Sequence, residues 1–324
     1  MEANPQRFQT APGVPALTGV RALACVWVVL SHIAQHEHAA LPEGMLRLAG
    51  PGFLGIDVFF ILSGFVLPMA HPGLPLRARP LAGFALKRLW RVYPLDVAVM
   101  LALLLRAWAL GMLGPGWFEP RYFLPVLLMV QPYTDPPIVG WLATNWSVGI
   151  ELACYGAFPL LALFLRRLPA VPLAALLVCL LLAEAATQRV WLAHVYGVGA
   201  LARGGCGFML GVAGFACVER FGLPARRWLA AAEVAVITAT LMLLWTGALW
   251  AVPVCLSLLI LCLPAAAGPV GWLTRRPVVV WLGEISYSIY LVHGVVLGSG
   301  AWRGLDRARA AWPDPWAFPV PGPR

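Results

Sequence analysis

Residues 14–34 read VPALTGVRALACVWVVLSHIA, 21 positions in which Arg21 and His32 are the basic side chains. A helix needs about 20 predominantly apolar residues to cross a hydrocarbon core about 30 Å thick, so this stretch predicts a transmembrane helix. It has no convincing cleavage site and reads as a retained span, not a removed signal peptide. Working outward, apolar runs bounded by charge, Pro or Gly recur at roughly 50–70, 92–113, 145–165, 170–187, 196–218, 228–247, 249–267 and 277–299. The expectation is an all-α fold, a polytopic transmembrane helical bundle of about nine spans within residues 1–300. A Pro- and Arg-rich tail, 301–324, is expected to be non-globular. An apolar patch near 122–131, flanked by Pro125 and Pro132, is too short to cross and reads as interfacial or re-entrant.

Composition agrees with this reading. Of 324 residues, 61% are hydrophobic and 11% charged, against about half and about a quarter in soluble domains, and the mean hydropathy is +0.81. A soluble globular protein is excluded, and 15 Trp among long Leu, Val and Ala runs exclude low-complexity disorder. The net charge of +9 comes in small basic groups between apolar runs, with no basic face for a groove, so the expected partner is the lipid bilayer and not a nucleic acid. Those groups fall on alternate loops: Arg77 to Arg91, then Arg166 and Arg167, then Arg220, Arg226 and Arg227, then Arg275 and Arg276. The positive-inside rule then places the N-terminus in the cytoplasm, as for a multi-pass inner (plasma) membrane protein. The seven Cys show no CxxC spacing and read as small buried hydrophobes. His36, Glu37 and His38 cluster beyond the first span without a placed third ligand, so no metal is expected. There is no P-loop, no GxGxxG and no internal repeat of the kind many transporters carry.

An ionisable group at the centre of a span costs at least about 2.5 to 3.5 kcal/mol, so each is a functional hypothesis by default. These are Arg21 and His32, Asp57, Asp96 and Arg106, Glu151, Glu184, Glu233, Glu284 and His293. Arg21 and His32 are 11 residues apart, close to three full turns, so they share a face with about 16 Å of rise between them. Such a helix suits an anionic donor at its Arg end and proton chemistry toward its His end. A snorkelling Arg and a hydrogen-bonded interhelical His explain the pattern equally well. Around Asp57, Gly52, Gly55, Ser63 and Gly64 predict close backbone packing. In the segment Leu86 to Pro94, read as a loop at the cytoplasmic entrance to the third span, Arg88 and Arg91 share a face. Two guanidiniums so placed suit phosphate oxygens, or lipid headgroups. Trp146, Ser147 and Glu151 open the fourth span, with Glu151 one turn after Ser147, either protonated or paired with Arg21 or His32.

Five blocks, in order, resemble the signatures of the acyltransferase-3 family of integral membrane acyltransferases. They are Gly19-Val20-Arg21 through His32, Gly55-Ile56-Asp57 through Phe65, Arg88-Leu89-Trp90-Arg91-Val92-Tyr93-Pro94, Trp146-Ser147-Val148-Gly149-Ile150-Glu151, and Leu282 through Tyr287 to His293. The resemblance implies a ten-helix enzyme moving an acyl group, commonly acetyl, from cytoplasmic acyl-CoA to a hydroxyl of a carbohydrate, glycolipid or cell-surface polysaccharide. Acyl-CoA would be a donor substrate, with no permanently bound cofactor. Carried over by position, His32 and Glu151 are the catalytic candidates, and Arg21, Arg88 and Arg91 the acyl-CoA-binding ones. Asp57, Ser63, Trp146, Ser147 and Tyr287 support them. Thr18 stands where the family usually has Asp, Cys154 where it has Phe, and Ala301 to Arg324 holds five Pro and four Arg where one more helix is expected. The competing readings are a transporter or flippase of a lipid-linked or acylated glycan, and an inactive truncated homologue.

Overall fold

The computed structural model describes residues 13–36, 41–134, 136–192, 196–265 and 268–298, and no strand occurs among them. The side chains of the His36, Glu37 and His38 cluster and the whole 301–324 tail lie outside this set. The helices in chain order are α1 (Gly13–His36), α2 (Glu43–Ala49), α3 (Gly55–Ala70), α4 (Ala78–Ala109), α5 (Pro120–Leu127), α6 (Trp146–Arg167), α7 (Ala170–Trp191), α8 (Gly197–Phe221), α9 (Arg226–Thr246), α10 (Val252–Cys262), α11 (Pro269–Thr274), α12 (Pro277–Glu284) and α13 (Ser286–Gly298). The result is an all-α, multi-pass membrane bundle.

Seven stretches among the described residues are long and apolar enough to cross a membrane, and α12 with α13 makes an eighth if that pair, bent by 66°, counts as one span. The sequence reading of nine differs at the eighth position. Leu249–Cys262 is 14 residues, about 21 Å of helix, short of the hydrocarbon core. The chain nevertheless returns there. Val252 packs with Leu244 near the end of α9, and beyond α10 the backbone N–H groups of Gly268 and Gly271 donate to Glu233, two turns from the start of α9. A carboxylate accepting two main-chain N–H groups at the entry to α11 explains why Glu233 is tolerated in a span. Helix direction agrees: Cys25 meets Ser286 and His32 meets His293, seven residues later on both helices, so α1 and α13 run parallel.

Close backbone approach organises the centre. A side chain at Gly64 on α3 would strike the carbonyl of Phe208 on α8, and one at Gly211 on α8 would strike the carbonyl of Ile61. At these two points no side chain separates the helices, the way small residues join helices in membranes. Gly52 and Gly55 approach α1 in the same manner, against the carbonyls of Trp27 and Ala24. The segment read as a loop before the third span is instead the start of α4, whose 32 residues run continuously through Pro94 for about 48 Å. Its first turns exceed the bilayer core, which is why basic residues are admitted there. Arg88 and Arg91 therefore sit on a helix. The patch near 122–131 folds as α5 and a tight turn tucked inward, with Val126, Met129 and Gln131 buried.

Candidate functional site

α1, α3, α4, α6 and α13 line a half-open cavity of about 70 Å³. That is room for a few water-sized groups. Its walls bring together Arg21 from α1, Ser63 from α3, Arg91 from α4, Ser147 and Glu151 from α6, and Tyr287 from α13. All six are positions that the sequence reading marked. Each reaches the cavity for a local reason. Arg21 lies on the α1 stripe that faces α13; Ser147 and Glu151 are one turn apart; Tyr287 follows the helix break and anchors by donating its hydroxyl to Val92 O at 3.0 Å.

Glu151 accepts hydrogen bonds from Ser63 Oγ and from Tyr155 Oη, one turn along its own helix. Arg21, Arg88 and Arg91 are its charged neighbours, yet among the described residues no ion pair within 4.0 Å includes Glu151. Arg88 stacks over Tyr155 at 5.5 Å and over Phe84 at 5.6 Å, its Nε buried without an acceptor. Three guanidiniums thus surround one carboxylate already satisfied by hydroxyls. Such a site carries surplus positive charge and vacant N–H donors, the chemistry of an anion receptor. At its edge His71 packs on Phe84 with rings 5.1 Å apart. Burial first, and Arg88 next, hold its imidazole below the usual range.

His32 is not among the cavity-lining residues. It is buried farther along α1, with Nδ1 2.9 Å from Val28 O and 3.3 Å from His293 Nε2. Tyr290 bridges the two regions: its carbonyl accepts from His293 Nδ1, and its hydroxyl lies in the cavity wall, donating to Thr144 O at 2.9 Å and 2.8 Å from Ser147 Oγ. Trp146 packs behind the wall against Phe60, centroids 6.5 Å apart.

Asp57 belongs to a different cluster. Arg203 on α8 grips it through two bonds of 2.7 Å, with both side chains 1% exposed, and Gln188 adds a third at 2.9 Å while also donating to Glu184. The sequence reading missed Arg203. Its signal was a lone Arg inside an apolar run, before Gly204 and Gly205, where only a buried carboxylate accounts for it. Asp96 is likewise buried, accepting from Asn145 Nδ2 at 3.1 Å. Glu284 is exposed beside the break between α12 and α13.

A family model described as an acyltransferase domain matches residues 14–320. Among curated proteins, an acyltransferase, MdmB, from Streptomyces mycarofaciens is 31% identical over 162 residues, 48% of this chain and 41% of that protein. A protein of the picA locus of Rhizobium radiobacter is 34% identical over 118 residues, 35% of this chain and 54% of that one. The chain thus matches about half the length of these relatives or less. No solved structure matches it.

Proposed function

This chain belongs to the acyltransferase-3 family, and on that premise we propose that it is an integral membrane O-acyltransferase of the inner (plasma) membrane with its N-terminus in the cytoplasm. The donor in this reading is cytoplasmic acyl-CoA, with acetyl the favoured group, and the acceptor is a hydroxyl of a carbohydrate, glycolipid or cell-surface polysaccharide. The observation that carries it is the cavity in which Arg21 and Arg91, with Arg88 behind Tyr155, outnumber the single carboxylate Glu151.

Arg88 and Arg91 hold the phosphates of the donor at the cytoplasmic end of α4, and Arg21 meets the anionic part nearest the thioester. The acyl end lies toward Tyr290 and His32, about 16 Å along α1 from Arg21. The acceptor hydroxyl oxygen attacks the thioester carbonyl while its proton passes to the His32 lone pair. The C–S bond breaks, the ester remains on the acceptor, and the CoA thiolate takes up a proton. Glu151, buttressed by Ser63 and Tyr155, balances the arginine charge when the donor is absent.

The test is transfer of labelled acetyl from acetyl-CoA to surface polysaccharide in membranes carrying wild type or His32→Ala. Loss of a general base costs about 10² to 10⁴ in rate, so the variant should insert normally yet transfer at background. Near-normal transfer by a well-inserted His32→Ala protein overturns the assignment.

A further inference from the structure

The contacts between His32, His293 and their backbone carbonyls constrain which Nδ1 atoms carry hydrogen. A carbonyl only accepts, so His293 Nδ1, facing Tyr290 O, carries hydrogen, and His32 Nδ1, facing Val28 O, does too. His293 Nε2, 3.3 Å from His32 Nδ1, is then the acceptor for that second hydrogen. A protonated His293 would set donor against donor, so the pair holds together with His293 neutral. In that arrangement the Nδ1–H of His32 is shared between Val28 O and His293, and in the neutral ring that a general base requires the lone pair is on Nε2.

We propose that His293 is a positioning residue for the acyl transfer, a neutral imidazole that fixes the tautomer and tilt of His32 and thereby leaves the lone pair of neutral His32 on Nε2. The orienting partner of a catalytic histidine is often a carboxylate; here a second histidine takes that place, which avoids burying a negative charge in the bundle. The proposal rests on the reading of His32 as the base.

Two further features support a working pair over a packing contact. First, the partners are held in register: Cys25 Sγ donates to Ser286 O at 3.3 Å two turns below, so α1 and α13 are pinned on both sides of Tyr290. Second, Tyr290 holds His293 through its carbonyl while its hydroxyl, fixed by Thr144 O and Ser147, lines the cavity. The orientation of His293 is therefore set by the same residue that closes the far wall of the candidate donor site.

The experiment compares wild type, His32→Ala, His293→Met and His293→Gln. In Gln the side-chain oxygen stands near the position of Nε2 and accepts; Met fills the space without a strong acceptor. Transfer of labelled acetyl from acetyl-CoA to surface polysaccharide is measured for kcat and for KM of acetyl-CoA, with monodispersity in detergent as the folding check. His293→Met should lower kcat by about 10- to 100-fold with KM for acetyl-CoA within about twofold, and His293→Gln should recover most of the loss. Wild-type kcat in His293→Met, or a folded His293→Gln as impaired as His293→Met, overturns the proposal. If His293→Met does not fold, His293→Gln decides alone: kcat near wild type supports the proposal, and a 10-fold loss overturns it. An active His32→Ala overturns the underlying reading instead, whereas inactive His32→Ala beside fully active His293→Met rejects only the role of His293.

Discussion

The Asp57 carboxylate has its complement within the protein: Arg203 makes two bonds of 2.7 Å to it, Gln188 a third, and both charged side chains are 1% exposed. Around Glu151 the complement is missing. The carboxylate is satisfied by Ser63 and Tyr155, and the nearby arginines look onto a cavity. Both clusters obey the rule that ionisable groups in spans are expensive, so the rule alone does not separate them. What separates them is the partner of the central carboxylate: a guanidinium of the protein grips Asp57, whereas hydroxyls satisfy Glu151 and leave the nearby guanidiniums unpaired with it. A cluster closed on an ion pair joins helices, here α3 to α8, and the open one is the donor site of the proposed function.

The sharpest way to break the contrast is at Arg203. Arg203→Met strands the carboxylate of Asp57 in an apolar interior, and removing one partner of a buried pair costs about 3 to 5 kcal/mol. Most of the protein should then be lost as aggregate in detergent, and Asp57→Leu added to Arg203→Met should restore the monodisperse peak. If Arg203→Met stays folded and only transfer fails, the cluster is part of the reaction site and the contrast collapses.

At the open site the expectation reverses. Arg88→Gln with Arg91→Gln should leave thermal unfolding in place and raise KM for acetyl-CoA by about 10- to 100-fold, the worth of one or two charge-assisted hydrogen bonds. Added salt should raise the wild-type KM in the same direction, because Arg91 is exposed and its charge is screened. Equal losses in donor and acceptor affinity would count against the donor assignment.

The smallest effect concerns His71, beside Phe84 and Arg88. Its imidazole titrates below the ordinary value near 6.5, so the unfolded chain takes up the proton first on acidification. Its contribution to stability is whole above about pH 6.5 and is lost as the pH falls below it. Thermal midpoints measured between pH 7 and pH 5 should therefore fall more for wild type than for His71→Gln. Identical slopes would remove His71 from the charged rim.

Much of this was legible because membrane helices write their length and their rare charges into sequence. The shared face of Arg21 and His32 follows from the helical repeat, and the glycines around Asp57 announced close packing that the structure shows against α1 and, at Gly64, against α8. Three features resisted. The start of α4 looked like a loop because charge and Pro94 usually end a span, whereas a helix that outruns the bilayer tolerates charge, and its interior Pro lacks only one donor. The break before Ser286 leaves no mark in hydropathy, since both halves are apolar. The partner of Asp57 is 146 residues away, and only tertiary contact reveals it.

The glycine contact between α3 and α8 has a mechanical consequence. With backbones touching at Gly64 and Gly211, the two helices have no compliant layer at that crossing, which couples their movements there. In α4, by contrast, only 28% of the apolar window is buried, against 72% for the stretch containing α3. On the proposed reading of Arg88 and Arg91 as donor-binding residues, the element that carries them is thus the less tightly packed one. The proposed grip is then mounted on the looser arm, and Ser63 belongs to the tightly joined pair that faces it.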